Sequence, residues 1–373
     1  MRNFSKVRKV VIKIGTNTLT KDGSLNLEYI DNISGQIATL KRRGFQPLLV
    51  SSGAIGFGAR EMGRTTRVTK TRYKQAYAAI GQPLLIDAYR QAFKKYDIFI
   101  AQVLLTRESL DSREMYVNLK SSVETLMEMG VVPIFNENDS ISTSEIAPYI
   151  GDNDQLSAHI ASKLDADLLI ILTDIDALYD KNPSKYSDAK PISVVTELTK
   201  EIIAAAGGAK TSFSTGGMKT KLLAVNIARK AGCKIVLAHG QHENVVPEIM
   251  NGKDIGTLFL PDKHKMSNKS RWILNATHKG RLIIDEGAER AIAQNKSLLP
   301  SGLKSVEGEF VKGDVVLIND KFKAVAGSDS SSMRKIIGLH SKDIKYVLQD
   351  AKRDVICRSS EIVKIENINI DTE

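Results

Sequence analysis

The chain has 373 residues, of which 42% are hydrophobic and 26% charged, with a formal net charge of +10. This balance excludes wholesale disorder, and the length fits two folding units better than one. No apolar run reaches the roughly 18–20 residues that span a membrane, and the N-terminus lacks a signal-peptide core. The two cysteines are far apart without CxxC spacing, which disfavours a disulfide framework or structural zinc and favours a reducing, cytoplasmic location.

Short apolar runs alternate with amphipathic stretches over the first two thirds of the chain. Strands are predicted at 7–14, 46–50, 99–105, 131–135, 168–172 and 234–238. Helices are predicted at 26–43, 74–95, 112–129, 154–164 and 218–231. The strands are nearly continuous in apolar residues, which is typical of a parallel sheet buried on both faces. We therefore expect an α/β fold, an open mostly parallel sheet sandwiched by helices, with ligands at the carboxyl ends of its strands.

The pattern changes near residue 260, where a polar segment with turn-forming residues follows. Beyond it, strands are predicted at 281–284, 310–318, 322–326 and 354–357, and helices at 287–295 and 330–337. The sequence thus predicts a first domain over 1–262, a linker over 263–277 and a small mixed β domain over 278–373.

The first predicted strand carries a lysine, Lys13, which a single residue separates from Gly15, where the apolar run ends. A lysine buried without a partner is costly, so either its ammonium reaches a ligand over the sheet edge or it lies on an edge strand facing water. The chain has no P-loop motif. The glycine-rich segment 53–61 does not complete GxGxxG, because Glu61 stands where the third glycine is required, which disfavours a usual dinucleotide site.

Four polar segments follow predicted strands or open predicted helices. The small-residue turn 51–56 offers backbone N–H groups to an anion, or is simply a tight connection. The clusters 136–139 and 151–154 carry amides and carboxylates that suit an ammonium, a metal or nearby lysines, although an Asp at a helix start is often a cap. Thr173 and Asp174 follow another strand, and the segment 214–221 resembles a phosphate cradle entering a helix.

Two lysines from distant parts of the chain, glycine-rich strand ends and clustered carboxylates together favour phosphoryl transfer. Its transition state carries charge mainly on equatorial oxygens, so positioned cations and backbone donors supply most of the catalysis.

At these residues the chain resembles the amino acid kinase family, and within it the glutamate-phosphorylating branch that carries a C-terminal PUA domain. The resemblance rests on segments that share the family's order: 13–16, 52–55, 102–106, 136–139, 151–154, 172–174 and 215–221, with 297–302 and 308–314 matching the PUA domain. It implies ATP-dependent phosphorylation of the γ-carboxylate of L-glutamate, the first step of proline synthesis.

The resemblance also implies residue roles. Lys13 and Lys221 would stabilise the transferring phosphoryl group, with Asp154 holding both lysines. Ser52, Asp139 and Asn153 would bind glutamate, and Asp139 would pair with the α-ammonium group of that substrate. ATP would be bound by Lys13, Thr173, Asp174, Thr215, Gly216, Gly217, Met218, Lys219, Thr220 and Lys221. Mg²⁺ would bridge the phosphates without a dedicated protein metal site. Lys219 departs from the family, where a smaller residue is common, and adds positive charge beside the cradle.

As partners the resemblance implies proline as feedback inhibitor, glutamate-5-semialdehyde dehydrogenase as the next enzyme, and a homo-oligomer. One alternative is another family member, such as an acetylglutamate, aspartate or uridylate kinase; the cluster at Asp139 and the appended domain argue against these.

A second alternative is an RNA-binding protein, since PUA domains commonly bind RNA. The basic excess, however, lies in residues 1–75, at +11, whereas residues 271–373 carry only +2. We therefore expect the small domain to tune oligomerisation or regulation. The basic side chains could cover the substrate site, form an interface or face water: Arg60, Arg64, Arg67, Lys70, Arg72 and Lys74.

Overall fold

The computed structural model describes residues 1–21, 24–66, 68–141, 153–206, 217–340, 343–347 and 355–365. The chain divides into two compact units, Met1–Lys265 and Met266–Glu373. The predicted positions Thr215 and Gly216 lie outside the described residues, as does Arg67 of the basic stretch.

The first unit contains strands and helices in alternation. Its strands are β1 (Lys9–Ile14), β2 (Thr20–Lys21), β3 (Ser24–Leu25), β4 (Gln46–Val50), β5 (Ile100–Leu105), β6 (Val132–Glu137), β7 (Leu168–Thr173), β8 (Leu178–Tyr179), β9 (Pro191–Ile192), β10 (Val194–Val195), β11 (Lys234–His239) and β12 (Thr257–Phe259). Its helices are α1 (Thr16–Leu19), α2 (Leu27–Arg42), α3 (Ala54–Glu61), α4 (Thr71–Lys94), α5 (Arg107–Asp111), α6 (Arg113–Glu128), α7 (Asn153–Lys163), α8 (Lys200–Ala206), α9 (Met218–Lys230) and α10 (Val245–Met250).

An eight-stranded sheet organises this unit in the order β10-β12-β11-β7-β1-β4-β6-β5. The strands from β11 to β5 are parallel, whereas β12 runs antiparallel to β11 and β10 follows the direction of β12. β1 lies at the centre, with Val10 paired to Pro47 on one side and Leu168 on the other. The predicted open, mostly parallel α/β sheet is confirmed.

The hydrophobic core forms where the apolar faces of helices pack against the buried strands. In α2 the apolar residues Ile30, Ile33, Ile37 and Leu40 recur on one face and pack in the same core cluster as the β1 side chains. Asn26 starts the helix, because its side chain accepts a hydrogen bond from the N–H of Tyr29. Full burial of each such side chain stabilises the fold by roughly 1.5–3 kcal/mol.

Most predicted elements of the first unit agree with the structure to within a few residues. The expectation that every strand is buried on both faces was wrong for β5, where Gln102 is exposed and Ile100 only partly buried. β5 is the edge strand beside β6, so only one neighbour covers it. The short strands β10 and β12 were not predicted, because a run of two or three residues carries no periodicity.

The second unit is a mixed β domain with its own hydrophobic core. Its strands are β13 (Gly280–Ile284), β14 (Leu303–Glu307), β15 (Val315–Ile318), β16 (Phe322–Val325) and β17 (Ile362–Lys364). Its helices are α11 (Asn268–Asn275), α12 (Glu286–Ala293), α13 (Ser330–Lys335) and α14 (Ile344–Val347), with 3₁₀ turns at Pro300–Gly302 and Ser359–Glu361. The sheet order is β14-β13-β15-β16-β17.

Three predictions for this unit need comment. The strand predicted over 310–318 begins only at Val315, since Gly313 adopts φ +96 in a turn. In the run predicted over 354–357, the described residues form an isolated bridge between Cys357 and Leu298 instead of a strand. The predicted linker 263–277 contains α11, whose buried Ile273 packs with Val315 and Val325. The domain boundaries themselves stay a prediction.

Across the parts of the chain that the structure describes, no helix combines the length and apolar character needed to cross a membrane.

Candidate active site

Lys13 lies near the carboxyl end of the central strand β1, with 4% of its surface exposed. Because β4 and β7 flank β1 on both sides, the alternative of a solvent-facing lysine on an edge strand is excluded. Its Nζ lies 2.5 Å from Oδ1 of Asp154. A buried lysine needs such a partner, and the strand end places it at the edge where ligands of parallel sheets bind.

Lys221 reaches the same carboxylate from the first turn of α9. Its Nζ lies 3.0 Å from Oδ2 of Asp154, and Lys221 is 5% exposed. Asp154 is the second residue of α7 and is fully buried. The fold thus joins side chains from positions 13, 154 and 221 into one buried triad.

The electrostatics of this triad follow from two cations on one anion. Burial opposes ionisation of Asp154, but the charges and hydrogen bonds of Lys13 and Lys221 outweigh it and hold the pKa of this carboxyl well below its usual range. The cluster carries an excess positive charge in a poorly solvated place. Buried ion clusters contribute little net stability, so the arrangement indicates a site prepared for an anion.

Beside the triad, a chain of side-chain amides links three elements. Asn153, the first residue of α7, donates through Nδ2 to the carbonyl of Ser51 at 2.8 Å, to Oγ of Ser52 at 2.8 Å and to Oδ1 of Asn136 at 3.0 Å. Asn136 in β6 in turn donates through Nδ2 to Oε1 of Gln82 in α4 at 2.7 Å. Two residues of the predicted glutamate site, Ser52 and Asn153, are therefore in direct contact.

Asp139, the third predicted glutamate ligand, is half-buried two residues beyond β6. Burial raises the pKa of this carboxyl to about 6, and the nearby charge of Lys74 lowers it only in part. A partly buried carboxylate whose charge Lys74 offsets only in part is a suitable partner for the ammonium group of a ligand.

Thr173 is the last residue of β7, and Asp174 follows it at the same edge of the sheet. Thr173 Oγ1 donates to Oδ1 of Asp174 at 2.9 Å, and Asn17 Nδ2 donates to its Oδ2 at 2.8 Å. Partial burial opposes ionisation of Asp174, but these two hydrogen bonds, with a contribution from the charge of Lys221, hold its pKa below the ordinary value. The carboxylate stays ionised and its orientation is fixed.

Those of the remaining predicted nucleotide ligands that the structure describes lie where α9 begins. Gly217 precedes the helix, Met218 and Lys219 form its first residues, and the Thr220 hydroxyl donates to the Gly217 carbonyl at 2.8 Å. The first N–H groups of a helix lack carbonyl partners within the helix, so a helix start of this kind suits an anion.

Three residues of this site were missed or left without a role by sequence reasoning. Asn136 lay inside a recognised motif without a role, and Asn17 follows the β1 strand end, so the strand-end rule could have found both. Gln82 sits within a long helix, where nothing in the local pattern separates it from an ordinary polar residue. Within the described residues, no group of three or more His, Cys, Asp or Glu side chains is placed to hold a metal ion.

The model of the amino acid kinase family matches residues 8–239, which lie in the sheet unit and contain all three members of the triad. The chain belongs to the amino acid kinase family. A PUA domain model matches residues 280–348 in the second unit.

Curated relatives match this chain over nearly its full length. A glutamate 5-kinase of Methanosarcina barkeri is 42% identical over 98% of this chain and 97% of its own. One of Caldanaerobacter subterraneus subsp. tengcongensis is 43% identical over 96% and 98%, and one of Desulfotalea psychrophila is 38% identical over 98% of each. The resemblance to this branch of the family is confirmed.

Among solved structures, a carbamate kinase from Giardia lamblia bound to AMP-PNP shares the fold, with a TM-score of 0.50 at 16% identity. The match covers 69% of the present amino acid kinase chain and 100% of the other.

Proposed function

We propose that the chain transfers the γ-phosphoryl group of ATP to the γ-carboxylate of L-glutamate, giving L-glutamyl 5-phosphate and ADP as the first step of proline biosynthesis. The support is the consistent name of its full-length relatives together with one observation, the convergence of Lys13 and Lys221 on buried Asp154.

The chemistry needs positioned charge more than proton transfer. A γ-carboxylate oxygen attacks the γ-phosphorus, a new O–P bond forms, and the bond to the β,γ-bridging oxygen breaks as ADP leaves. The attacking group is already ionised at neutral pH, so no general base is required. Lys13 and Lys221 neutralise charge on the phosphoryl oxygens in flight, while Asp154 holds both ammonium groups in fixed positions.

Glutamate recognition falls to the neighbouring polar groups. Asp139 pairs with the α-ammonium, Ser52 donates its hydroxyl proton to a carboxylate, and the carbonyl oxygen of Asn153 accepts from the ammonium group. ATP enters as its magnesium complex, against Thr173, Asp174 and the segment 215–221. The residues present fit this substrate, since lysines and a helix start bind phosphate directly and magnesium is commonly held through the phosphates themselves.

A hydroxylamine trap tests the function directly. With ATP and glutamate, the enzyme should consume ATP and yield glutamyl hydroxamate, because hydroxylamine captures an activated acyl group. A panel with aspartate and N-acetylglutamate provides the specificity control. Phosphorylation of either of these without phosphorylation of glutamate would overturn the proposal.

The wider biochemical setting is part of the same proposal. An acyl phosphate is labile, so glutamate-5-semialdehyde dehydrogenase would consume it, and proline would inhibit as end product. We place the reaction in the cytoplasm as a homo-oligomer, with the PUA unit tuning assembly or regulation. A gel shift with the full chain checks the RNA alternative, and tight, salt-sensitive binding would favour that alternative.

A further inference from the structure

Two backbone groups determine the direction of the hydrogen bonds in the amide chain beside the triad. The carbonyl of Ser51 can only accept, so the Asn153 atom facing it must be the NH₂ group. The backbone N–H of Glu137 can only donate, so the Asn136 atom 2.9 Å from it must be the carbonyl oxygen. Both amides therefore have one permitted orientation.

These amide orientations set one hydrogen-bond requirement at the Gln82 end of the amide chain. With its oxygen committed to Glu137 and Asn153, Asn136 must direct its NH₂ group toward Gln82, which accepts through Oε1 at 2.7 Å. Asn136 is 2% and Gln82 8% exposed, so water is not at hand to replace this acceptor. A buried donor left without an acceptor would push Asn136 to turn its amide, presenting NH₂ to the NH₂ of Asn153.

At the Ser52 end of the amide chain, the hydrogen-bond directions determine which groups can bind a ligand. Ser52 Oγ accepts from Asn153, so its hydroxyl proton is not used in that contact and can be donated to a carboxylate. The two N–H bonds of the Asn153 amide are shared among its three acceptors, and within the described residues its carbonyl oxygen remains as an acceptor for an ammonium. The Ser52 hydroxyl, a donor suited to a carboxylate, and the Asn153 carbonyl oxygen, an acceptor suited to an ammonium group, thus lie side by side.

We propose that Gln82 is a positioning residue for glutamate, acting through Asn136 to hold Asn153 and Ser52 in the donor and acceptor orientations that an amino acid substrate requires. The inference rests on the proposed function. Gln82 lies three hydrogen bonds from Ser52 by way of Asn136 and Asn153, and it has no part in the Lys13–Asp154–Lys221 contacts. Its removal therefore acts on glutamate binding more than on the phosphoryl step.

Steady-state kinetics on two substitutions of nearly equal volume separate the acceptor from the packing. Gln82→Met removes the acceptor and should raise the KM for glutamate about tenfold, with kcat and the KM for ATP within about threefold of the parent, the range expected for one unsatisfied buried group. Gln82→Glu retains an acceptor oxygen and should keep the glutamate KM within about threefold. Equal KM values for the two variants, or an equal rise in the KM for ATP, would overturn the proposal.

A buried glutamine elsewhere in the same unit supplies the control. Gln36 in α2 is 7% exposed and accepts a hydrogen bond from the backbone N–H of Val246 at 3.0 Å. Gln36→Met should lower the melting temperature without changing the glutamate KM. A glutamate KM shift as large as that of Gln82→Met would show a general structural effect and contradict the positioning role.

A double-mutant cycle keeps the proposal testable if Gln82→Met fails to fold. Asn136→Asp keeps the acceptor toward Glu137 and Asn153 and lets Gln82 turn its own NH₂ group to the new carboxylate. Combined with Gln82→Glu it sets two carboxyl groups face to face, so the glutamate KM should rise severalfold beyond the product of the single effects. Independent effects would contradict the coupling. Absence of glutamyl hydroxamate with the parent enzyme would instead refute the proposed function, independently of the Gln82 variants.

Discussion

At the scale of single residues, the site is governed by an imbalance of buried charge. Lys13 and Lys221 share one carboxylate, Asp154, so the triad carries one cation more than it neutralises internally. Desolvated charge is expensive, and a phosphate arriving between the lysines relieves that cost where water cannot. The same reasoning explains why Asp154 must stay ionised, since a protonated Asp154 would leave two buried ammonium groups facing each other.

Substitution of either lysine tests the triad. We expect Lys13→Ala and Lys221→Ala each to lower kcat by about two or more orders of magnitude, with a much smaller change in the glutamate KM, as for loss of a preorganised charge. Lys9→Ala is the matched control, because Lys9 lies at the opposite end of the same strand and donates to the Leu164 carbonyl. A kcat for Lys221→Ala equal to that of the parent enzyme would contradict the role assigned to Lys221.

Asp139 predicts a pH dependence of glutamate binding with a defined sign. Burial raises its pKa from 3.8 to about 6, so the carboxylate that pairs with an ammonium is present above that pH and lost below it. The glutamate KM should rise as pH falls from 7 to 5. The folded protein also holds this proton more tightly than the unfolded chain, so ionised Asp139 opposes folding at neutral pH, by at most about 3 kcal/mol.

Asp139→Asn separates these two effects in one variant. At pH 8 it should raise the glutamate KM at least tenfold and flatten its pH profile, while the melting temperature rises by a few degrees. An unchanged KM at pH 8 would contradict the assignment of Asp139 to the ammonium group.

At the scale of elements, the crossing of α3 and α4 decides where Gln82 stands. The helices approach so closely that a Cβ added at Gly58 would overlap the Tyr77 carbonyl, and one added at Gly81 would overlap the Ala54 carbonyl. Gly81 immediately precedes Gln82. Glycine at both positions therefore lets α4 sit against the helix that leads out of the Ser52 turn.

Two glycines of α3 provide a matched test of this contact. Gly58→Ala should destabilise the protein by about 2 kcal/mol or more and raise the glutamate KM, because α4 must move away. Gly56→Ala, where an added Cβ meets nothing within 4 Å, should be neutral or stabilising by up to about 1 kcal/mol. Urea denaturation and kinetics measure both, and equal effects would show that the close approach is not required.

At the scale of the whole molecule, the chain comprises two units with separate hydrophobic cores. Every described residue of the candidate site belongs to the first unit, which is the part that matches the amino acid kinase family. The second unit carries its own core and the PUA match.

Hydrogen exchange should reveal this division. With ATP, magnesium and glutamate at saturating concentration, we expect slower exchange in β1, in α7 and at the start of α9, because ligand binding stabilises the state that binds it. The strands β13, β15 and β16 should be unchanged. Protection confined to the second unit would contradict the placement of the substrates.

The sequence by itself determined the alternation of strands and helices, the polar groups at the strand ends and the family, because these are encoded in local periodicity and in ordered motifs. It also led to Lys13, Asp154 and Lys221. Only the tertiary structure decided that β1 is the central strand and β5 an edge strand, because sheet order depends on which crossovers pack. It alone identified Gln82, since a buried acceptor three hydrogen bonds from Ser52 leaves no periodic or motif signal in the chain.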